Sequence, residues 1–159
     1  MTWQTRYDQS NVDGFTLVEL LVVVLVTSML LGLTAIALGR PQAAANVSTS
    51  VDTLLADMSG QQVLAMAGDT GSQTTAQTQG ILFSSTQYTL FTGTYNAGDS
   101  YNFIVQLPPN STLANTFPSS QLIFNKGDGS VTNTGTITLT SGGASHTITI
   151  NRFGAPTVN

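Results

Sequence analysis

One long apolar stretch constrains this chain more than any other feature. Residues 15–39 contain a single charged side chain, Glu19. A helix rises about 1.5 Å per residue, so roughly 20 apolar residues are enough to cross the hydrocarbon core of a bilayer. The stretch is longer than that, and apart from Glu19 its first part leaves no polar face. The composition therefore predicts a membrane-spanning helix over residues 15–39.

A single glycine, Gly14, joins this stretch to a polar leader, residues 1–14. In an ordinary secretory signal, the small residues of the cleavage site follow the apolar segment, which is therefore removed. Here the small residue precedes the apolar segment. Because Gly14 has no side chain, the catalytic groups of a protease can come close to its carbonyl. Cleavage after Gly14 would leave the hydrophobic helix on the mature protein.

Glu19 lies near the start of the predicted helix, where a carboxylate needs a partner. An unpaired charge in the bilayer costs on the order of 2.5–3.5 kcal/mol near a helix centre and less toward the helix end. One candidate partner is the amino group that cleavage would create at Phe15, on the same or a neighbouring subunit. The positive end of the helix dipole also favours an acid there. The alternative is a glutamate that sits in the head-group region of an ordinary anchor.

The segment Gly14-Phe15-Thr16-Leu17-Val18-Glu19 resembles the class III signal of type IV prepilins and of the pseudopilins of type II secretion. The resemblance implies that prepilin peptidase cuts after Gly14 and that Phe15 becomes the N-methylated terminus. It also implies that Glu19 is the acidic residue used in assembly.

The same resemblance implies a location and a set of partners. The protein would first lie in the bacterial inner membrane as a single-pass protein with an extracytoplasmic head, and later in a pilus or a periplasmic pseudopilus. Its partners would be prepilin peptidase, other pilin or pseudopilin subunits, the inner-membrane assembly platform and, before assembly, membrane lipid.

The apolar stretch is followed by a predicted kink at Pro41, because proline has no N–H and disfavours helix at the preceding residue. Residues 40–67 predict an amphipathic continuation of the helix that ends at Gly68. Its apolar stripe recurs at steps of three and four residues and is expected to be buried. The stripe consists of Val47, Val51, Leu54, Leu55, Met58, Gln62, Ala65 and Met66.

Residues 68–159 predict a small head with an antiparallel β-sheet, because the apolar pattern there alternates in steps of two. The proline-rich residues 108–120 are expected to form a surface loop. The fold class is therefore α+β and pilin-like, with a long, kinked, membrane-spanning N-terminal helix. The expected strands are residues 80–83 and 88–91 as one hairpin, 101–107, 121–124, and 136–140 with 146–151 as a second hairpin.

The C-terminal sequence has a second resemblance. Residues 122–127, 135–139 and 148–154 are similar to the C-terminal β-sheet of H-type minor pseudopilins and FimT-like minor pilins. This favours a minor over a major subunit. Some FimT-like proteins bind DNA through basic residues near the C-terminus, but Arg152 is the only basic residue among residues 152–159. With a net charge of −4 as well, nucleic acid is not an expected partner.

Few residues in the chain can carry chemistry. There is no cysteine and one histidine, His146, which excludes disulfides, thiol catalysis and Cys-based zinc sites. Asp128 lies in a Gly-Asp-Gly-Ser segment that lacks the dense oxygen ligands of a calcium site and predicts a tight turn. We therefore expect a structural protein without enzyme activity, cofactor or metal. The alternative is a single-pass, membrane-anchored extracytoplasmic domain that binds a ligand or catalyses a reaction, in which the Gly-Phe motif is accidental.

Overall fold

The computed structural model describes residues 14–71 and 73–159, and it leaves the side chains of residues 33–44 and 46 undescribed. The described part combines a long α-helix with antiparallel strands, which confirms the predicted α+β class. The predicted leader, residues 1–14, lies outside the described residues except for Gly14.

The elements follow one another as an α-helix and then strands, with one short 3-10 turn at Pro118–Ser120. The chain divides into two compact units, residues 1–39 and residues 40–159. The bounds are α1 Leu17–Ala67, β1 Gln79–Phe83, β2 Gln87–Thr92, β3 Phe103–Gln106, β4 Ser111–Asn115, β5 Gln121–Phe124, β6 Gly135–Ser141, β7 Ala144–Ile150 and β8 Pro156–Val158.

Helix α1 contains most of the predicted membrane span, residues 15–39, and its predicted continuation, residues 40–67. Among the described residues, no helix combines the length and the hydropathy needed to cross a membrane. The predicted span includes residues 33–39, whose side chains lie outside the description. The helix assignment continues through Pro41, and the kink at that residue stays a prediction.

The second part of α1 buries one face in the core of the head. Five stripe residues are buried as predicted, namely Val47, Val51, Leu54, Met58 and Ala65. Met66 is 46% exposed, so its predicted burial is wrong. Successive helical residues are about 100° apart around the axis, and Met66 therefore cannot share the face of Ala65. Gln61 is buried instead, and its Oε1 has no hydrogen-bond partner among the described residues.

The end of α1 is held both by its own backbone and by the head. Gly68 follows the last helical residue with φ 74, a left-handed conformation that glycine adopts at helix ends. The predicted helix end at Gly68 is confirmed. The N–H of Gly127 donates to the carbonyl of Ala65 at 3.0 Å, and Nε2 of Gln62 donates to the carbonyl of Gly129 at 2.9 Å.

The first sheet has the strand order β3-β2-β1-β5, with all neighbours antiparallel. The β1–β2 hairpin and strand β5 confirm the predictions for residues 80–91 and 121–124. Gly80 lies opposite Phe91, and a Cβ at Gly80 would lie 2.2 Å from the Phe91 ring. Glycine is therefore required at this position so that the ring can lie over strand β1.

The second sheet has the order β4-β6-β7-β8. The predicted C-terminal hairpin is confirmed as β6–β7, whose turn residues Gly142 and Gly143 have φ 55 and 84, as a two-residue primed turn requires. Strand β4 lies inside the predicted loop of residues 108–120, so that prediction is wrong. Ser111 and Leu113 are buried, and the backbone of the strand pairs with β6 over Ser111–Asn115. Strand β8 was not predicted.

Tyr88 links strand β2 to helix α1. Its side chain is 1% exposed, and its hydroxyl donates a hydrogen bond to Oδ2 of Asp57 at 2.5 Å. Burial, together with the hydrogen bond and the negative charge of Asp57, raises the pKa of the Tyr88 hydroxyl well above its ordinary value of 10.0. The folded state therefore keeps Tyr88 protonated at a pH at which the unfolded chain begins to lose that proton.

Stability should fall at alkaline pH because of Tyr88. Above about pH 10 the unfolded chain binds fewer protons than the folded chain, so the free energy of unfolding falls by up to about 1.4 kcal/mol per pH unit. A Tyr88→Phe variant lacks this titrating group, and its stability should fall less steeply. Urea unfolding of both proteins, followed by circular dichroism at about pH 9 and about pH 11, measures the difference. Equal losses in the two proteins would contradict the assignment.

Candidate processing and assembly site

Gly14 stands just before the first turn of α1, at a position where the fold makes no demand for glycine. Among the described residues, a Cβ at Gly14 would meet no atom within 4 Å, and the φ of Gly14 lies outside the left-handed range. Gly129 is different, because it has φ 66 and a Cβ there would lie 2.8 Å from Met66. Since neither packing nor backbone conformation explains Gly14, its residue type fits recognition by another molecule.

Thr16 caps the helix that follows. Its carbonyl accepts hydrogen bonds from the N–H of Glu19 at 3.1 Å and of Leu20 at 3.2 Å, and its Oγ1 accepts from the N–H of Glu19 at 3.3 Å. Threonine is a favoured N-cap residue because its hydroxyl satisfies a free N–H of the first turn. The sequence reasoning missed this role, although Thr16 followed by Glu19 has the Thr-x-x-Glu spacing of a capping box.

Glu19 lies in the first turn of α1, at the positive end of the helix dipole. Its side chain is exposed. Within residues 14–71 and 73–159, no hydrogen bond or ion pair engages its carboxylate. Phe15, four residues earlier, is 82% exposed. The carboxylate of Glu19 is therefore available for a positively charged group outside the described chain or at a new N-terminus.

Apart from Glu19, the first part of α1 is apolar on every side that it presents. Thr27 and Ser28 do not interrupt this surface, because their hydroxyls donate back to the carbonyls of Val23 at 2.8 Å and Val24 at 2.7 Å. Exposed apolar surface of this extent marks an interaction with protein or lipid. The exposed side chains, from 48% for Val26 to 80% for Leu17, are Leu17, Val18, Leu20, Leu21, Val22, Val23, Val24, Leu25, Val26, Met29, Leu30 and Leu31.

The structure brings three of the four predicted site residues together. Gly14, Phe15 and Glu19 lie at the start of α1, whereas Pro41 lies far along the same helix and its side chain is outside the description.

His146 and Asp128, the other residues considered for chemistry, lie in a strand and in a turn. His146 lies in strand β7 opposite Leu139. Asp128 forms the predicted turn, and hydrogen bonds from the N–H and the hydroxyl of Ser130, at 3.0 and 2.9 Å from Oδ1, hold the pKa of its carboxyl below the usual range. In the described part of the chain, no three His, Cys, Asp or Glu side chains are grouped so that they could hold a metal ion.

Comparison with known proteins agrees with this site. Residues 9–35 match the family of the prokaryotic N-terminal methylation motif, and the matched segment contains Gly14, Phe15 and Glu19. No curated protein and no solved structure matches the chain. The match supports the predicted class III signal at residues 14–19.

Proposed function

We propose that this chain is the precursor of a structural subunit of a type IV pilus or of a type II secretion pseudopilus. The observation that carries the proposal is the methylation motif over residues 9–35. Gly14 adds support, since the fold itself does not require a glycine there. Prepilin peptidase cuts after Gly14, Phe15 becomes the methylated N-terminus, and the apolar helix remains on the mature subunit.

The apolar surface of α1 supplies the cohesion of the filament. In the inner membrane this surface is covered by lipid, with the head on the extracytoplasmic side. The assembly platform then moves the subunit into the filament, where the helices of neighbouring subunits cover the same side chains. The exposed residues between Leu17 and Leu31 allow this exchange, because close packing between helices replaces contacts with lipid.

Glu19 sets the position of each incoming subunit. The cleaved Phe15 carries a positive amino group, and the Glu19 carboxylate of an adjacent subunit neutralises it. Inside a helix bundle both charges are shielded from water, so their mutual attraction offsets much of the desolvation cost that either charge would carry alone. An axial displacement of the helix would leave both charges unpaired, and this makes the charge pair a device that fixes register.

The head gives the subunit its outward surface and catalyses no reaction. The resemblance of residues 122–127, 135–139 and 148–154 to minor pseudopilins and minor pilins favours a minor subunit. In that role few copies enter each filament, and a major subunit forms most of its length.

Fractionation of cells tests this function. The chain should be produced in a bacterium that carries a pilus or pseudopilus assembly system, with its prepilin peptidase either present or deleted. We expect the processed chain in sheared filaments, in small amounts relative to the major subunit, and only the uncut chain in the membrane fraction of the deletion strain. A processed chain that never leaves the membrane fraction would contradict assembly and favour an anchored domain.

A further inference from the structure

The head contains a polar cleft that the filament function does not use. Its volume is about 310 Å³, at the lower end of the roughly 300–1,000 Å³ that ligand pockets occupy. Amide, hydroxyl and carboxylate side chains form most of its wall, together with one aromatic ring. The residues that matter here are Gln73, Gln77, Thr94, Asn96, Asp99 and Tyr101.

Hydrogen bonds within the loops hold the wall of the cleft in place. Oδ1 of Asp99 accepts from the N–H of Tyr101 at 2.9 Å, and Oδ1 of Asn96 accepts from the N–H of Gly98 at 3.1 Å. Nε2 of Gln77 donates to the carbonyl of Thr75 at 2.8 Å. These bonds fix the side chains of Gln77, Asn96 and Asp99 before any ligand arrives, which lowers the entropy cost of binding.

Several polar groups of the cleft remain free to bind a ligand. Within the described residues, no hydrogen bond engages the side chains of Gln73 or Thr94 or the hydroxyl of Tyr101. The second carboxylate oxygen of Asp99 is also without a partner there. Amide and hydroxyl groups both donate and accept, whereas a carboxylate only accepts. The free amide, hydroxyl and carboxylate groups of the cleft match a ligand with many hydroxyl groups, since each ligand hydroxyl also donates and accepts.

The charge of the cleft narrows the ligand class. No Lys, Arg or His is among its described lining residues, and Asp99 carries the one charge there, so phosphates and acidic sugars would meet no counter-charge. Lys126 donates to the carbonyl of Ala76 at 3.3 Å and does not line the cleft. Calcium prefers six to eight oxygen ligands, commonly with several carboxylates, and one carboxylate is a poor match.

Tyr101 adds an apolar contact to this polar set. Its side chain is 57% exposed, and a tyrosine ring offers a large, rigid face at small entropy cost. The C–H groups on one face of a sugar ring need such a surface, while the sugar hydroxyls need the amides and the carboxylate. We propose that this cleft binds a neutral saccharide, which packs on Tyr101 and donates hydrogen bonds to Asp99.

Titration of the full chain with sugars tests this site. The protein is purified in a detergent without a sugar head group, and maltotetraose, cellotetraose and N-acetylchitotetraose are added while NMR signals of the head are followed. We expect saturable binding of at least one sugar with a dissociation constant near 1 mM, with shifts at residues of the cleft. Tyr101→Ala should weaken this binding at least about tenfold, a loss of about 1.4 kcal/mol.

A matched control separates the cleft from general exposure of aromatic rings. Phe153 is 62% exposed but does not line the cleft, so Phe153→Ala should bind the sugar as the unchanged protein does. The variant Tyr101→Ala keeps the backbone N–H that donates a hydrogen bond to Oδ1 of Asp99. Circular dichroism verifies that the variant is folded. No binding of any of the three sugars, equal binding by Tyr101→Ala, or saturable calcium binding in place of sugar would overturn the proposal.

Discussion

A Gly14→Leu variant is expected to accumulate as the uncut precursor. The fold leaves room for this change, because a Cβ at Gly14 would meet no atom of the described residues within 4 Å. A peptidase that needs close access to the Gly14 carbonyl does not tolerate it. Displacement of the reacting groups by about 1 Å can cost about a hundredfold in rate, and we expect a loss of at least this size. A time course of precursor and product on a gel, with purified prepilin peptidase, measures it.

The chain offers a matched control for this variant at Gly32. A Cβ at Gly32 likewise meets no described atom within 4 Å, and Gly32 lies within the matched segment, residues 9–35. A Gly32→Leu variant therefore makes the same chemical change on the same helix, and it should be cut at the normal rate. If Gly14→Leu were cut as fast as Gly32→Leu, the proposed cleavage point would be wrong.

A Glu19→Ala variant is expected to be inserted and cut normally but to fail in assembly. Removal of one partner of a buried ion pair costs on the order of 3–5 kcal/mol. A free-energy difference of about 1.4 kcal/mol already changes a binding constant tenfold. Its amount in sheared filaments should therefore fall at least about tenfold. The lost interaction with the helix dipole, about 0.3–1 kcal/mol, is too small to explain such a fall.

Asp52 provides the control for Glu19. It is an exposed acid in the same helix α1, so Asp52→Ala removes an equal charge from another position. We expect this variant in filaments at the normal level. Quantitative blotting of sheared filaments and membranes compares the two variants. A normal amount of Glu19→Ala in filaments would refute the proposed charge pairing.

The sequence predicts the parts of the fold whose signals are local. The apolar stripe of α1, the helix end at Gly68 and both hairpins depend on residues that lie close together in the chain. The spacing of the apolar residues in these segments shows the helix or strand period directly. The β6–β7 hairpin is also marked by its turn, Gly142-Gly143. Apart from the burial of Met66, these predictions were confirmed because local propensity and tertiary structure agree.

The parts that sequence reasoning missed depend on contacts distant in the chain. Strand β4 is short and proline-flanked, and it is a strand because Ser111–Asn115 pairs with β6. Strand β8 likewise depends on β7. The second sheet therefore has two strands that no local pattern predicts.

The two candidate sites differ in the same respect, because one has a local sequence motif and the other has none. Gly14, Phe15 and Glu19 lie within six consecutive residues and were found by their motif. The saccharide cleft has no motif, since its wall comes from separate loops that contain Gln73, Thr94 and Asp99. Only the fold brings these side chains together.

The N-terminus of the mature protein is the most direct test of the account. Intact mass and N-terminal sequencing should be performed on the chain produced with and without prepilin peptidase. With the peptidase we predict a chain that begins at Phe15 and carries an N-methyl group, and without it a chain that keeps residues 1–14. An unprocessed chain in both samples would contradict the proposed filament subunit.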